Sequence, residues 1–242
     1  MHDTLVLCYH AVSETFPADL SVRPGALHDQ LTILQRRGYR GVTFTQAVEG
    51  EHRGRRVAVT FDDAFASVAS RAKPILDSLG WPGTVFAVTD FAAEGHPITW
   101  VGTDQWAASD HADEMRSLDW NRLRALAAAG WEVGSHTASH PHLTALDDAA
   151  LEAELTRSRE AVQAAMNNGC PSIAYPYGDA DDRVVSAAGR AGYRTGAALP
   201  PTWTADNPLD WPRAGIYHGD DLRRYKLKVS PQVRRIRRAL HR

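Results

Sequence analysis

The sequence predicts an α/β protein in which parallel strands, separated by helices, curl into a barrel-like arrangement. Three observations carry that reading. Short apolar, β-branched runs alternate with helical stripes along the body of the chain, the order that right-handed β–α–β crossovers produce. The 242 residues suffice for one large domain or two small ones, and neither a linker nor an internal repeat divides them. The residues best suited to chemistry, His10, Asp62, Asp63, His136, His140 and Tyr177, each follow a predicted strand. In α/β barrels that rim is where active sites assemble.

Taken in order, Leu5-Val6-Leu7-Cys8-Tyr9 reads as the first strand and ends at His10. Residues 24–38 carry Leu27, Leu31 and Leu34 at helical spacing, with Gly38 as the stop. A second strand is predicted over 41–44 and a short helical turn over 45–50. Arg55-Arg56 then bounds the central strand, Val57-Ala58-Val59-Thr60-Phe61, a continuous run of the kind shown by parallel strands buried on both faces. A helix is expected over 64–79, stopped by Gly80 with Pro82 just beyond. Residues 84–88 form the next strand. Residues 91–118 mix Gly, His, Asp and Trp with little periodicity and read as an inserted loop, a feature often functional in compact domains. Asp119 caps a helix through residue 129, and Trp131-Glu132-Val133 is a strand. A long helix starts at Asp147 or Asp148 and reaches about residue 166. Residues 172–175 are strand-like and end in Pro176-Tyr177-Gly178, a helix covers 181–191, and strands follow at 193–199 and 213–217.

The chemistry is concentrated at two places. The central strand runs straight into Asp62-Asp63. Adjacent carboxylates raise one another's pKa unless something positive sits beside them, and a divalent metal is the commonest remedy. A solvated turn that caps the next helix is the alternative. The second place is Gly134-Ser135-His136-Thr137-Ala138-Ser139-His140, where two imidazoles four residues apart can fold around one ion. Neutral imidazole is the commonest protein ligand for zinc, and a solvated Ser- and His-rich loop is the alternative. Together the two segments offer one carboxylate and two imidazoles to a metal, and leave the second carboxylate free to take a proton. That set suits metal-assisted hydrolysis. Zinc is the expected ion, and cobalt or nickel fits the same ligands.

Composition narrows the class. A formal net charge of −2 gives no overall pull toward nucleic acid. Cys8 and Cys170 are the only cysteines, and Cys8 lies in an apolar run suited to core packing. The start, Met1-His2-Asp3-Thr4, lacks the basic and apolar pattern of a secretory signal, and no apolar run is long enough to span a membrane. The cytoplasm is therefore the expected compartment.

These motifs resemble those of the polysaccharide deacetylases of carbohydrate esterase family 4, over roughly residues 4–218. Members carry Thr-Phe-Asp-Asp, here Thr60-Phe61-Asp62-Asp63, and His-Ser/Thr-x-x-His, here His136-Thr137-Ala138-Ser139-His140. Tyr9-His10-Ala11-Val12 and Tyr175-Pro176-Tyr177-Gly178 also look like the family, the latter like a Tyr-Pro-Tyr-Gly subgroup. The resemblance implies a distorted (β/α) barrel, seven-stranded, that removes an N- or O-acetyl group from a sugar with one divalent metal. It further implies Asp62 as general base, Asp63, His136 and His140 as metal ligands, and the backbone N–H of Tyr177 as an oxyanion donor.

Two departures from the family stand out. Many members place an Arg where this chain has Ala174, to orient the catalytic Asp; Arg213, from the last strand, is the candidate replacement. Ile216-Tyr217-His218 only loosely matches the late Leu-x-His segment, whose histidine protonates the leaving amine, so His218 is one candidate acid and His10 its rival. His10 is otherwise a substrate contact or a packed strand end. Trp100 and Trp106, in the irregular insertion, are candidates to stack on a sugar ring or to pack a lid.

The last stretch is distinct in charge. Residues 223–242 hold nine of the 27 Lys and Arg residues and no acid, so a catalytic region over 1–222 and a basic tail over 223–242 are expected. Val233, Ile236 and Leu240 make a helical stripe among arginines, a pattern suited to an anionic inner-membrane surface. A packed or free terminal helix is the alternative, and nucleic acid is not expected as a partner. The leading function is removal of an N-acetyl group from a sugar in a glycan, a glycolipid or a sugar precursor. A silent carbohydrate-binding barrel and a metal-dependent amidase on a non-sugar amide are the alternatives.

Overall fold

A computed structural model describes residues 3–50, 54–93, 96–100, 102–199 and 206–240. The first strand, β1, spans Asp3–Tyr9. Two-residue strands β2 (Ala11–Val12) and β3 (Ser21–Val22) then pair with each other, a small ladder with no signal in the sequence. Helix α1 (Pro24–Arg36) buries Leu27, Leu31 and Leu34 as their spacing predicts. Strand β4 covers Tyr39–Val42, two residues earlier than expected. The reason is Thr43, which already N-caps α2 (Phe44–Glu49) in a reciprocal capping box with Gln46. Strand β5 (Arg55–Phe61) is buried from Val57 onward.

The helix expected from residue 64 starts late. Asp63 and Ala64 take φ of 67° and 54°, a left-handed conformation that no helix can begin with. Phe65 then bridges Ser117, and a π-helical turn, Val68–Ala72, leads into α3 (Lys73–Ser78). Beyond it come β6 (Thr84–Ala87) and the short helices α4 (Thr89–Ala92) and α5 (Asp104–Ala107). Asp119 caps α6 (Trp120–Ala128), and β7 is Glu132–Ser135. Asp147 caps α7 (Asp148–Met166), followed by β8 (Ser172–Ala174), α8 (Asp182–Arg190) and β9 (Thr195–Ala198). The last strand is two short pieces, β10 (Trp211–Pro212) and β11 (Ala214–Gly215), rather than one run over 213–217.

The strands of the main sheet pair in parallel, in the order β10-β9-β8-β7-β6-β5-β1-β11. β4 lies against the first half of β5, Tyr39 to Val42 facing Arg55 to Ala58, and β6 takes over at Thr60 and Phe61. The segment at 211–215 closes the ring. Its first half pairs with β9, its second half with β1, and the change of partner falls at Arg213. The result is a distorted (β/α) barrel in which seven staves close the ring and β4 lies alongside.

Alternate strand residues divide the interior. Leu5, Leu7, Val57, Val59, Val85 and Ile173 join the main core with the helices, while Val6, Ala58, Phe86, Ala174 and Ala197 pack with one another as a second cluster. Phe86 leaves no room beside it at position 134, where a Cβ would lie 2.6 Å from its ring, so β7 carries Gly134.

Helices α9 (Leu222–Lys228) and α10 (Pro231–Leu240) complete the chain. Tyr225 and Val229 are buried in the main core, so the boundary expected after residue 222 falls inside a helix that packs on the barrel. Arg234 on α10 donates to Asp3 Oδ2 at 2.7 Å and to Thr4 O at 3.3 Å. The basic tail is thereby tied to the beginning of β1, the end of the barrel away from His10. Among the described residues no helix is long and apolar enough to cross a membrane.

Candidate active site

β1, β5, β7 and β8 run parallel and deliver their C-terminal ends to one rim. β5 ends in Asp62 and Asp63, β7 in His136, β8 in the turn at Pro176–Gly178 and β1 in His10. Asp63 Oδ1 lies 3.3 Å from His136 Nε2 and 3.5 Å from His140 Nε2, and all three side chains are buried. Metal–ligand bonds of about 2.1 Å at tetrahedral angles put ligand atoms about 3.4 Å apart. The spacing therefore fits a four-coordinate divalent ion with one position left over.

The supporting contacts fit as well. His136 Nδ1 sits 2.8 Å from Ala174 O, which places the ring proton there and leaves the Nε2 lone pair toward Asp63. Burial opposes a charge on His136, yet Asp62 and Asp63 outweigh it and raise its pKa. The same pull attracts a cation. His140 behaves oppositely: burial lowers its pKa to about 3, so at neutral pH it offers a free lone pair. Its Nδ1 is buried without a hydrogen-bond partner among the described residues.

Asp62 stands beside this triangle in a different state. Arg213 donates from Nη1 to Oδ1 at 2.6 Å and from Nη2 to Oδ2 at 2.8 Å, and Nη1 also reaches Thr60 Oγ1 at 3.1 Å. Burial alone would raise the Asp62 carboxyl, and the guanidinium overrides it, holding it well below the usual carboxylate range. Arg213 reaches Asp62 because the closing segment changes partner at that residue. The arginine absent from position 174 is thus supplied by another strand.

His10 is buried, with a ring nitrogen within 4.8 Å of both the Cys8 sulfur and an Asp62 oxygen. These three groups do not fit a second metal. Both Asp62 oxygens are engaged by Arg213, and burial raises the Cys8 thiol well above its ordinary pKa, which keeps it neutral. Burial lowers the His10 pKa against the pull of Asp63 and Asp62. The ring stacks on Tyr217 at 6.4 Å.

His218 lies elsewhere. Its side chain is exposed, its N–H donates to Asp19 O at 2.9 Å, and it lines a surface cleft with Arg23 and Asp220. Among the described residues no contact joins its ring to Asp62 or Asp63. Trp100 is brought to the site but lies flat on His140, with centroids 3.9 Å apart and planes at 17°, so one ring face is taken by that histidine. Trp106 packs edge-on against Phe16 at 5.2 Å.

Tyr177 has φ 59° and ψ 3° inside its turn. The turn's hydrogen bonds run from Gly178 N–H to Tyr175 O and from Asp179 N–H to Pro176 O, and neither uses the Tyr177 N–H. The Tyr177 ring, 44% exposed, stacks on His142 at 3.8 Å and presents an edge to His140.

Backbone strain gathers at this rim. Six non-glycine residues have positive φ among the described residues, and Asp63, Ala64, Thr137, His140 and Tyr177 are five of them. Each costs about 1–2 kcal/mol relative to right-handed backbone, so the loops must be held from outside. Glu154, absent from the sequence reading, is one such support: its carboxylate accepts from the N–H groups of Ala138 and Ser139. One signal was available. Glu154 sits on the same helical face as Leu151, Leu155, Ser158 and Val162, where a charge is out of place.

Comparison with known proteins adds an independent line. A family model for polysaccharide deacetylase matches residues 49–196, a span that includes both the acid and the histidine motifs. A chitooligosaccharide deacetylase of Rhizobium leguminosarum bv. trifolii is 38% identical over 98 residues, covering 39% of this chain and 41% of that protein. A poly-beta-1,6-N-acetyl-D-glucosamine N-deacetylase of Escherichia coli (strain K12) is 32% identical over 129 residues, covering 49% of this chain and 18% of that protein. The chain therefore spans less than half the length of either curated relative. Among solved structures, the Streptococcus pyogenes deacetylase PplD in complex with acetate superposes with a TM-score of 0.76 at 22% identity, covering 94% of this chain and 98% of that one. A polysaccharide deacetylase from Bacillus cereus gives 0.75 at 23% identity, covering 94% of this chain and 69% of that one. At these identities the structural likeness is one of fold.

Proposed function

This chain belongs to the polysaccharide deacetylase family, and from that membership we propose that it hydrolyses an acetyl group, N-acetyl in our reading, from a sugar in a glycan, a glycolipid or a sugar precursor. The observation that carries the proposal is the Asp63–His136–His140 triangle beside an Asp62 carboxylate clamped by buried Arg213. The two curated relatives compared above are named as N-acetylglucosamine-polymer and chitooligosaccharide deacetylases, which supports the substrate class.

Asp63, His136 and His140 would hold the metal, and zinc suits the tetrahedral spacing and the His₂Asp donor set best. Such an ion supplies Lewis-acid polarisation of the acetyl carbonyl. Asp62 remains ionised at neutral pH and accepts the proton of the attacking water. Arg213 fixes both Asp62 oxygens, so the acceptor lone pairs point one way. The Tyr177 N–H, held in a strained turn, donates to the oxyanion as it develops. When the C–N bond breaks, the amine takes a proton and acetate leaves. The proton is the one Asp62 took from the water. His10, which burial keeps neutral, is the group we favour to relay it, because it lies within the buried cluster beside Asp62 whereas His218 faces solvent.

Acetate release from N-acetylated and O-acetylated sugars and from small amides tests the reading. Release of equal amounts of acetate and free amine from N-acetylhexosamine compounds is expected. Release from non-sugar amides alone would make the chain an amidase, and sugar binding without release would make it a silent barrel.

A further inference from the structure

The loop that carries both histidines is not self-supporting. Thr137 and His140 have φ of 68° and 65°, and between them lie two consecutive amides, Ala138 and Ser139. Successive N–H groups flanked by left-handed residues form a concave anion site. Here the anion is built into the chain. Glu154 Oε2 accepts from Ala138 N–H at 2.9 Å and from Ser139 N–H at 3.0 Å, and Oε1 accepts from the Ser139 hydroxyl at 2.8 Å. Glu154 is buried on α7 and has no cationic partner among the described residues.

One turn further along α7 a second contact grips the start of the same loop. Ser158 Oγ accepts from Ser135 Oγ at 2.9 Å, and Ser135 Oγ accepts from Thr137 N–H at 3.1 Å. The loop closes on itself where Thr137 Oγ1 accepts from His140 N–H at 3.0 Å. Ser158 secures the end nearer His136, and Glu154 secures the strained stretch that turns His140 back toward Asp63.

We propose that Glu154 is a positioning residue of the metal centre: its carboxylate holds the 136–140 loop in the conformation that brings both imidazoles to Asp63. Neutral amides and a hydroxyl satisfy it, so its role depends on hydrogen-bond geometry more than on charge. A glutamine can reproduce that geometry, with its carbonyl oxygen on the two amides and its NH₂ on the hydroxyl. A leucine of similar bulk cannot. The inference rests on Asp63, His136 and His140 being the metal ligands.

The test is Co²⁺ binding to the metal-stripped, full-length chain, read by chelator competition and by the visible absorption bands of the bound ion. Loss of an outer-shell support typically weakens metal affinity by about 10–100-fold, and that loss is expected for Glu154→Leu, with altered Co²⁺ bands. Glu154→Gln should bind within about threefold of wild type. Val162→Ala, a buried truncation on the same helix, reports general loosening of α7: it should lower Tm and leave Co²⁺ affinity unchanged. If Glu154→Leu does not fold, Glu154→Asp serves instead, since the shorter side chain withdraws the carboxylate from the amides while keeping its charge. A folded Glu154→Leu or Glu154→Asp protein with wild-type affinity and bands overturns the proposal. So does a glutamine variant as impaired as the leucine variant. A wild-type chain that binds no Co²⁺ overturns the ligand assignment itself, and this inference with it.

Discussion

Replacing Arg213 by methionine removes the guanidinium while keeping most of the buried volume. The wild-type contacts are two short hydrogen bonds to a carboxylate that is itself 2% exposed, so Asp62 would be left charged, buried and unpaired. Stranding one partner of a buried ion pair costs about 3–5 kcal/mol. In a chain of this size each kcal/mol moves Tm by about 2–4 °C, so Arg213→Met should melt about 6–20 °C lower near pH 8. The pH dependence gives the sharper result. In wild type the folded Asp62 pKa is depressed, so its contribution is complete above the unfolded carboxylate value and is lost as pH falls toward the folded one. In the variant burial is opposed only by the weaker pull of His136 and His10, so the folded pKa moves upward. The penalty is then relieved by protonation as the medium becomes acidic. The Tm gap between wild type and variant should therefore narrow from pH 8 to pH 5. Turnover should fall about 10²-fold through mispositioning of the base, and the acid limb of the kcat–pH profile should move upward. A Tm within 2 °C of wild type on the metal-stripped protein, a gap independent of pH, or unchanged turnover would refute the assigned role.

His10→Gln should lower kcat about 10²-fold or more while His218→Ala stays within about threefold, as pH profiles of kcat for the two variants would report. Tyr177→Gly keeps the N–H and suits φ 59°, so kcat should remain within about tenfold of wild type in the acetate-release assay. Trp100→Leu uncovers one face of His140 and should release bound metal several-fold faster to a chelator.

The barrel was legible because its strands are short and apolar and its helices carry their own start and stop signals. Asp119 caps its helix as the sequence predicts, Asp147 is one of the two starts expected for the long helix, and Asp181, expected as the first residue of a helix, turns out to cap it. Asp62, Asp63, His136 and His140 stood out because charged and metal-ligating side chains end apolar runs, and their convergence follows from strands that all point one way. The reach of Arg213 to Asp62 was legible only as a vacancy at Ala174 in search of a guanidinium. What brings Arg213 there, the exchange of β9 for β1 as pairing partner, is a tertiary event with no local signal. The late start of α3 was hidden for a related reason. Ala64 favours helix on propensity, and the need to turn Asp62 and Asp63 into the site overrides it. The basic stretch from residue 223 looked separable on charge alone, because one buried Tyr225 amid cationic residues leaves little trace in composition.

The most direct test of the division of labour between the two adjacent carboxylates combines Zn²⁺ titration with acetate release. Metal-stripped wild type, Asp62→Asn and Asp63→Asn would each be titrated and then assayed on N-acetylhexosamine oligomers. Asp62→Asn should bind one ion per chain within a few-fold of wild-type affinity and release no acetate, and Asp63→Asn should lose the ion. An Asp62→Asn protein that turns over at the wild-type rate, or an Asp63→Asn protein that holds the ion as tightly as wild type, would contradict the account.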